Sequence, residues 1–217
     1  MSGTGFNPVG TVILMTAVGF IPFLVICMTG FLKISVVLFL VRNALGVQQT
    51  PPNLLLYAIA LVLTVFVSAP LMSTVYSRLA AHPVDFNSIE DLSAAAKELK
   101  RPIQAHLLRF TKAEERKFFL SAAARTWPEE ARADLKDDDL IVLMPAFIGS
   151  ELTRAFEIGF LLYLPFVIID LVVSNVLMAM GMMMVSPTLI SVPLKLFLFV
   201  SVDGWSRLMH GLILSYS

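Results

Sequence analysis

Asp170 sits near the middle of PFVIIDLVVSNVLMAMGMMMVSP, the apolar run from Pro165 to Pro187, where an ionisable side chain needs a chemical reason. An ionised carboxylate at the centre of a membrane-grade helix costs about 3 kcal/mol, so this one must face protein or water and not lipid. Two chemistries suit it: an ion pair that ties helices or subunits together, or a step in a proton or ion path. Lys33, Arg42, Lys195, Asp203 and Arg207 also lie within or beside apolar runs and carry the same two readings, with pairing the ordinary one. Glu151, Arg154 and Glu157 follow one another at spacings of three in ELTRAFE, an alternating-sign ladder along one side of a helix. On the same stretch Ala155 and Gly159 form a small-xxx-small pair that lets a neighbour's backbone come close.

Met182, Met183 and Met184 offer softness in place of reactivity. A thioether on flexible torsions fills an irregular gap and reseals it after being disturbed. Gly181 and Pro187 bracket the three, so they fall where the helix should loosen, at the tip of a hairpin. Presented from such a tip by several subunits around an axis, they would converge into a deformable constriction.

Several chemistries are excluded. His82, His106 and His210 are scattered, and no His/Cys/carboxylate cluster has metal-ligand spacing. No Gly-rich phosphate loop, nucleophile elbow or paired acidic motif is present. No catalytic residue, metal or cofactor is therefore expected, and the chain does not read as an enzyme. Cys27, the single cysteine, lies in an apolar run as a small buried hydrophobe, so no disulfide framework exists. With 16 basic and 16 acidic residues the net charge is zero, which gives no case for nucleic acid.

The elements that must position these residues are helical throughout. A chain that is 57% hydrophobic and 15% charged, with mean hydropathy +0.81, reads as an all-α polytopic membrane protein. Four apolar stretches, 9–32, 54–76, 158–184 and 189–214, each meet the roughly 20 residues a spanning helix requires. They pair into two hairpins, one joined by the connection 33–53 with its turn Gln48, Gln49, Pro51, Pro52 and Asn53, the other by the break at 185–188. The organisation is an N-terminal hairpin over 1–77, a polar helical insertion over 78–139, and a C-terminal hairpin with the methionine-rich loop over 140–217.

Within the insertion, Ser88 can cap a helix bearing Ile89, Leu92, Ala96 and Leu99, which ends near Pro102, and a second helix starts there. Thr111 with Glu114 offers a capping box for a further helix with Phe118, Phe119 and Ala122 on its apolar face, closed by Trp127-Pro128. The acidic run 137–139 then caps the stretch from Leu140 to Ile148. Lys33 and Arg42 in the first connection, against an N-terminal segment without a basic residue, put that connection in the cytoplasm and the insertion in the periplasm. The N-terminal MSGTGFNPVG shows no basic residue and no cleavage pattern, and reads as retained. Pro22, Pro70, Pro165 and Pro193, with the charges above, suit helices buried against many protein neighbours better than helices in lipid on all sides.

FLKISVVLFLVRNALGVQQTPPN (31–53), PAFIGSELTRAFEIGFLLYLPFVIIDLVVSNVLMAMGMMMVSP (145–187) and the ending PLKLFLFVSVDGWSRLMHGLILSYS closely resemble the SctR/FliP family of type III secretion export apparatus proteins. The resemblance covers almost the whole chain, least well in the insertion, and the short length without a cleavable leader is similar to the injectisome branch more than the flagellar one. It implies a pentamer that assembles with SctS/FliQ-like and SctT/FliR-like subunits into a helical funnel. That funnel is lifted largely to the periplasmic side of the bacterial inner membrane and conducts unfolded secretion substrates beside other export-gate proteins. It also implies that Met182, Met183 and Met184 form a gasket across the closed pore. The rival reading of the same residues is a proton-coupled or small-solute transporter that uses Asp170, although the two hairpins show no internal repeat.

Overall fold

In a computed structural model of the chain, residues 8–81 and 89–217 are described, and the regular structure among them is entirely helical. The order is α1 (Pro8–Met28), α2 (Phe31–Ala44), α3 (Asn53–Ala81), α4 (Ile89–Phe110), α5 (Ala113–Thr126), α6 (Glu129–Arg132), α7 (Leu140–Ala179), α8 (Thr188–Ser201) and α9 (Gly204–Leu214). The expected all-α class holds. By length and composition α3 and α7 can each cross a membrane, and so can α8 and α9 taken together across a 63° bend. Contacts divide the chain into two compact units, one of Met1–Gly30 with Ser68–Glu151, the other of Phe31–Val67 with Leu152–Ser217.

The first unit holds the insertion. Leu107 and Phe110 on α4, Ala123 on α5, and Val142, Leu143, Ala146 and Phe147 on the first turns of α7 form its buried core. Ser88, expected to cap α4, lies outside the described residues. Pro102 neither ends one helix nor starts another, because α4 runs through it to Phe110. A proline in a helix interior costs about 3 kcal/mol, yet burying Leu107 and Phe110 on the continuing stripe returns about 1.5–3 kcal/mol each. Burial decides.

The Thr111/Glu114 capping box does not form. Lys112 takes the N-cap position of α5 without a side-chain cap bond, while the Thr111 hydroxyl turns back to donate to the Leu107 carbonyl at 2.6 Å. The Lys112 backbone N–H instead donates to Ser150 Oγ on α7 at 2.9 Å. Phe118 is exposed and Ala123, one position beyond the expected face, is the buried residue of α5, which ends at Trp127 as expected.

The acidic run does more than precede α7. Asp137 accepts from Arg116 Nη1 at 2.9 Å, the Asp138 carbonyl from Gln104 Nε2 at 2.8 Å, and Asp139 from Lys100 Nζ at 3.0 Å, so α4, α5 and the start of α7 are joined through one tripeptide. The backbone N–H of Lys136 also donates to Asp139, at 3.0 Å. These bonds hold the Asp139 carboxyl below the usual carboxylate range, the Lys136 N–H first and the Lys100 ammonium second.

The second unit is built around α2. The connection 33–53 was expected to be a short link with a turn, but its first part belongs to a helix, α2 from Phe31 to Ala44, with Ile34, Val37, Leu38, Val41 and Ala44 buried. Lys33 and Arg42 are buried with them, so the two charges that orient the chain by the positive-inside tendency belong to the packing and not to an open loop. The last apolar stretch is likewise two helices, because Asp203 adopts φ 53° between α8 and α9.

Candidate functional site

Lys195 on α8 is the centre of the charged residues in the second unit. Its side chain is 5% exposed, and Nζ donates to Asp170 Oδ2 on α7 at 2.6 Å and to the Ala44 carbonyl at 3.1 Å. Ala44 is the last residue of α2, whose final carbonyls have no partner within the helix and carry the negative end of its dipole. One ammonium thus satisfies a carboxylate and a helix terminus, and joins three helices. Asp170 keeps 43% of its side chain exposed, toward a polar hollow of about 580 Å³ that Asn43, Gln48, Tyr163 and Ser191 also line.

The two cations of α2 are held near its two ends. Lys33 places Nζ 3.4 Å above the centre of the Tyr216 ring, a cation–π contact within a buried setting. Arg42 donates through Nη1 to the Pro51 carbonyl at 3.2 Å and to Asn53 Oδ1 at 2.5 Å, so it pins the turn that leads into α3. Gln48, Gln49 and Pro52 of that turn are exposed. Gly46, with φ 79°, lets the chain leave α2 beside Val192 of α8, where a Cβ would meet Val192 Cγ2 at 2.7 Å.

The ladder on α7 is graded, not uniform. Glu151 is fully buried, Arg154 half-buried and Glu157 exposed, and each makes a polar or electrostatic contact. Ala155 is buried, and a Cβ on Gly159 would run into Leu40 of α2. The small-xxx-small pair therefore serves a close approach within the chain. Asp203 and Arg207, by contrast, are exposed at the α8–α9 bend and make no ion pair among the described residues.

α7 ends in a way that fixes the position of the methionines. The Gly181 N–H donates to the Met178 carbonyl at 3.0 Å and the Met182 N–H to the Leu177 carbonyl at 2.9 Å, with Gly181 at φ 74°. That is a Schellman motif, and it needs a residue that accepts the left-handed conformation at the glycine position. The chain leaves the helix there. Met182 is 41% exposed, Met183 84%, and Met184 entirely so. The loop closes through Val185 N–H to the Met182 carbonyl at 3.2 Å and the hydroxyls of Ser186 and Thr188 at 2.8 Å, before α8 begins.

Sequence reasoning identified Asp170 and Lys195 but missed the Ala44 carbonyl and Tyr216. A backbone acceptor carries no residue-type signal, and a penultimate aromatic gives no sign of which cation it covers.

The FliP family profile matches residues 14–212. The chain is 58% identical over 201 residues to the probable translocation protein y4yL of Sinorhizobium fredii, covering 93% of this chain and 90% of that protein. It is 46% identical to the Yop proteins translocation protein R of Yersinia pestis, covering 97% of each. With the harpin secretion protein HrcR of Erwinia amylovora it shares 43% identity over the full length of both. A family profile over residues 14–212, with identities of 43–58% over nine-tenths or more of each chain, leaves one assignment: the chain belongs to the FliP family.

Proposed function

We propose that this protein is an export-gate subunit of an injectisome type III secretion system, and that its copies surround a passage which Met182, Met183 and Met184 close between substrates. The observation that carries the reading is the loop geometry: a Schellman stop ejects three thioethers from α7 and leaves two of them almost wholly uncovered. A single chain gives those side chains nothing to pack on. Copies arranged around an axis would bring them onto one another as a soft ring.

On this reading the complex is a pentamer with SctS/FliQ-like and SctT/FliR-like partners, set at the bacterial inner membrane with the insertion and much of the funnel on the periplasmic side. Orientation rests on the family and not on Lys33 and Arg42, which are buried. The pore is passive and needs no cofactor, and unfolded chains deform the ring as they pass. The transporter reading would require Asp170 to take up and release a cation, in a place that the Lys195 ammonium already occupies.

The test replaces Met182, Met183 and Met184 together by alanine in the assembled apparatus and measures small-ion leak across the inner membrane. Leak should rise while assembly persists, and a stalled substrate should crosslink to position 183. A membrane as tight as before, around a correctly assembled gate, would remove the gasket role.

A further inference from the structure

A groove of about 550 Å³ runs along the second unit between α7 and α9, walled by Ile158, Leu162, Phe166, Phe199, Leu208 and their apolar neighbours. That volume falls in the range of small-molecule sites, roughly 300–1,000 Å³. Arg207 and Ser215 are the polar residues on its lining. Arg207 is exposed and has no ion-pair partner among the described residues. Gly211 also lines the groove, and a Cβ there would meet nothing within 4 Å.

An occupant must supply an apolar length and one negative charge. The acidic residues of this unit are Glu157, Asp170 and Asp203. Asp170 is held by Lys195, and Glu157 already makes a polar or electrostatic contact. The same unit of a second copy would therefore answer Arg207 only with Asp203, and would bring another Arg207 one helical turn away, so that pairing would gain no net charge. A phospholipid offers both features at once. A guanidinium takes phosphate oxygens in a bidentate fork, and a long cationic side chain on an apolar helix reaches for the headgroup layer.

We infer that this groove is a binding site for an anionic phospholipid, with one acyl chain along the Phe166, Phe199 and Leu208 wall and the lipid phosphate on Arg207. The α8–α9 bend, where Asp203 and Arg207 stand, then lies at headgroup depth. The inference does not depend on the gasket.

Trp205 reports on the site, since it meets the groove residue Phe199 edge to face at 5.3 Å between ring centres. The chain has two tryptophans, so Trp127→Phe makes Trp205 the sole emitter. In that background the full-length chain in mild detergent is titrated with bromine-labelled phosphatidylglycerol or phosphatidylcholine. Half-quenching should need about fivefold less of the anionic lipid, the ratio for one basic side chain near an anionic surface. R207Q should merge the two curves, and R207K should keep most of their separation. G211L, whose side chain enters open space, should make quenching by both lipids shallower. Coincident curves for the unaltered groove, an R207Q curve pair that stays apart, or full quenching in G211L would each overturn the proposal. So would a G211L chain whose only change is the mass of its oligomer, because the groove would then be a protein interface.

Discussion

The Lys195 junction makes an asymmetric demand on its two charges. Asp170→Ala strands an ammonium that is 5% exposed with only the Ala44 carbonyl for company, and an uncompensated buried charge costs about 3–5 kcal/mol. Lys195→Met keeps the apolar stem and strands a carboxylate that is 43% exposed. Water reaches that carboxylate, so the lost pairing is nearer the 0–1 kcal/mol of exposed ion pairs. The buried Ala44 carbonyl then goes unsatisfied, at about 1–3 kcal/mol. The single D170A change should thus be the more damaging by about 2 kcal/mol, and adding K195M to it should recover about that amount, because the stranded ammonium is gone. Urea midpoints of the full-length protein in detergent, read for both single variants and the double variant, give the cycle. The reasoning fails if K195M costs as much as D170A, or if the double variant costs the sum of the two.

Gly181→Ala forces a Cβ into the left-handed conformation that closes the Schellman motif, at about 1–2 kcal/mol. Its visible effect should be local: faster proteolysis at 180–187 with an unchanged rate within α4, and equal rates at both places would contradict it. Acid stability should show two limbs. Burial first and Arg109 second hold His106 below its ordinary value near 6.5, so the fold keeps it neutral. The unfolded chain therefore binds the proton more readily, and stability present above about pH 6.5 is lost as pH falls toward the folded value. Asp139, also depressed, contributes stability that is present above about pH 4 and drains as pH falls through its folded value. His106→Leu should flatten the first limb and Asp139→Asn the second in urea midpoints read across that range, and a fold that gains stability on mild acidification would refute both assignments.

What the sequence made legible follows from what a residue type can say by itself. The methionine loop was readable because glycine and proline punctuate the chain where backbone geometry requires them. Asp170 and Lys195 were readable because charge in an apolar run must be answered. Pro102 misled because a local breaking rule was outweighed by the burial of Leu107 and Phe110 further along the same stripe. Thr111 misled because its hydroxyl could satisfy either the start of α5 or the end of α4, and only tertiary packing decides that competition. The helix at 31–44 went unseen because two cations inside it set it apart from the spans and made it read as part of a connection. In the folded chain Lys33 lies over Tyr216 and Arg42 holds the turn, so charge marked anchoring and not exposure.

The length of α7 carries the case for assembly. Its apolar face in the second unit, from Leu152 to Met178, rises about 40 Å at 1.5 Å per residue. The average tilt of membrane helices, about 20°, still leaves about 38 Å along the bilayer normal, against a hydrocarbon layer of about 30 Å. Exposed large apolar side chains run along all of that stretch, from Leu152 through Phe160 and Leu171 to Met178. Lipid tails can cover only part of that surface, and water is a poor solvent for the remainder. In the proposed assembly, neighbouring subunits supply the missing cover. A lone chain extracted from the membrane should therefore bind far more detergent than its two span-length helices require, and should shed that excess as it joins its partners. Unchanged detergent binding on assembly would mean that these faces remain with lipid.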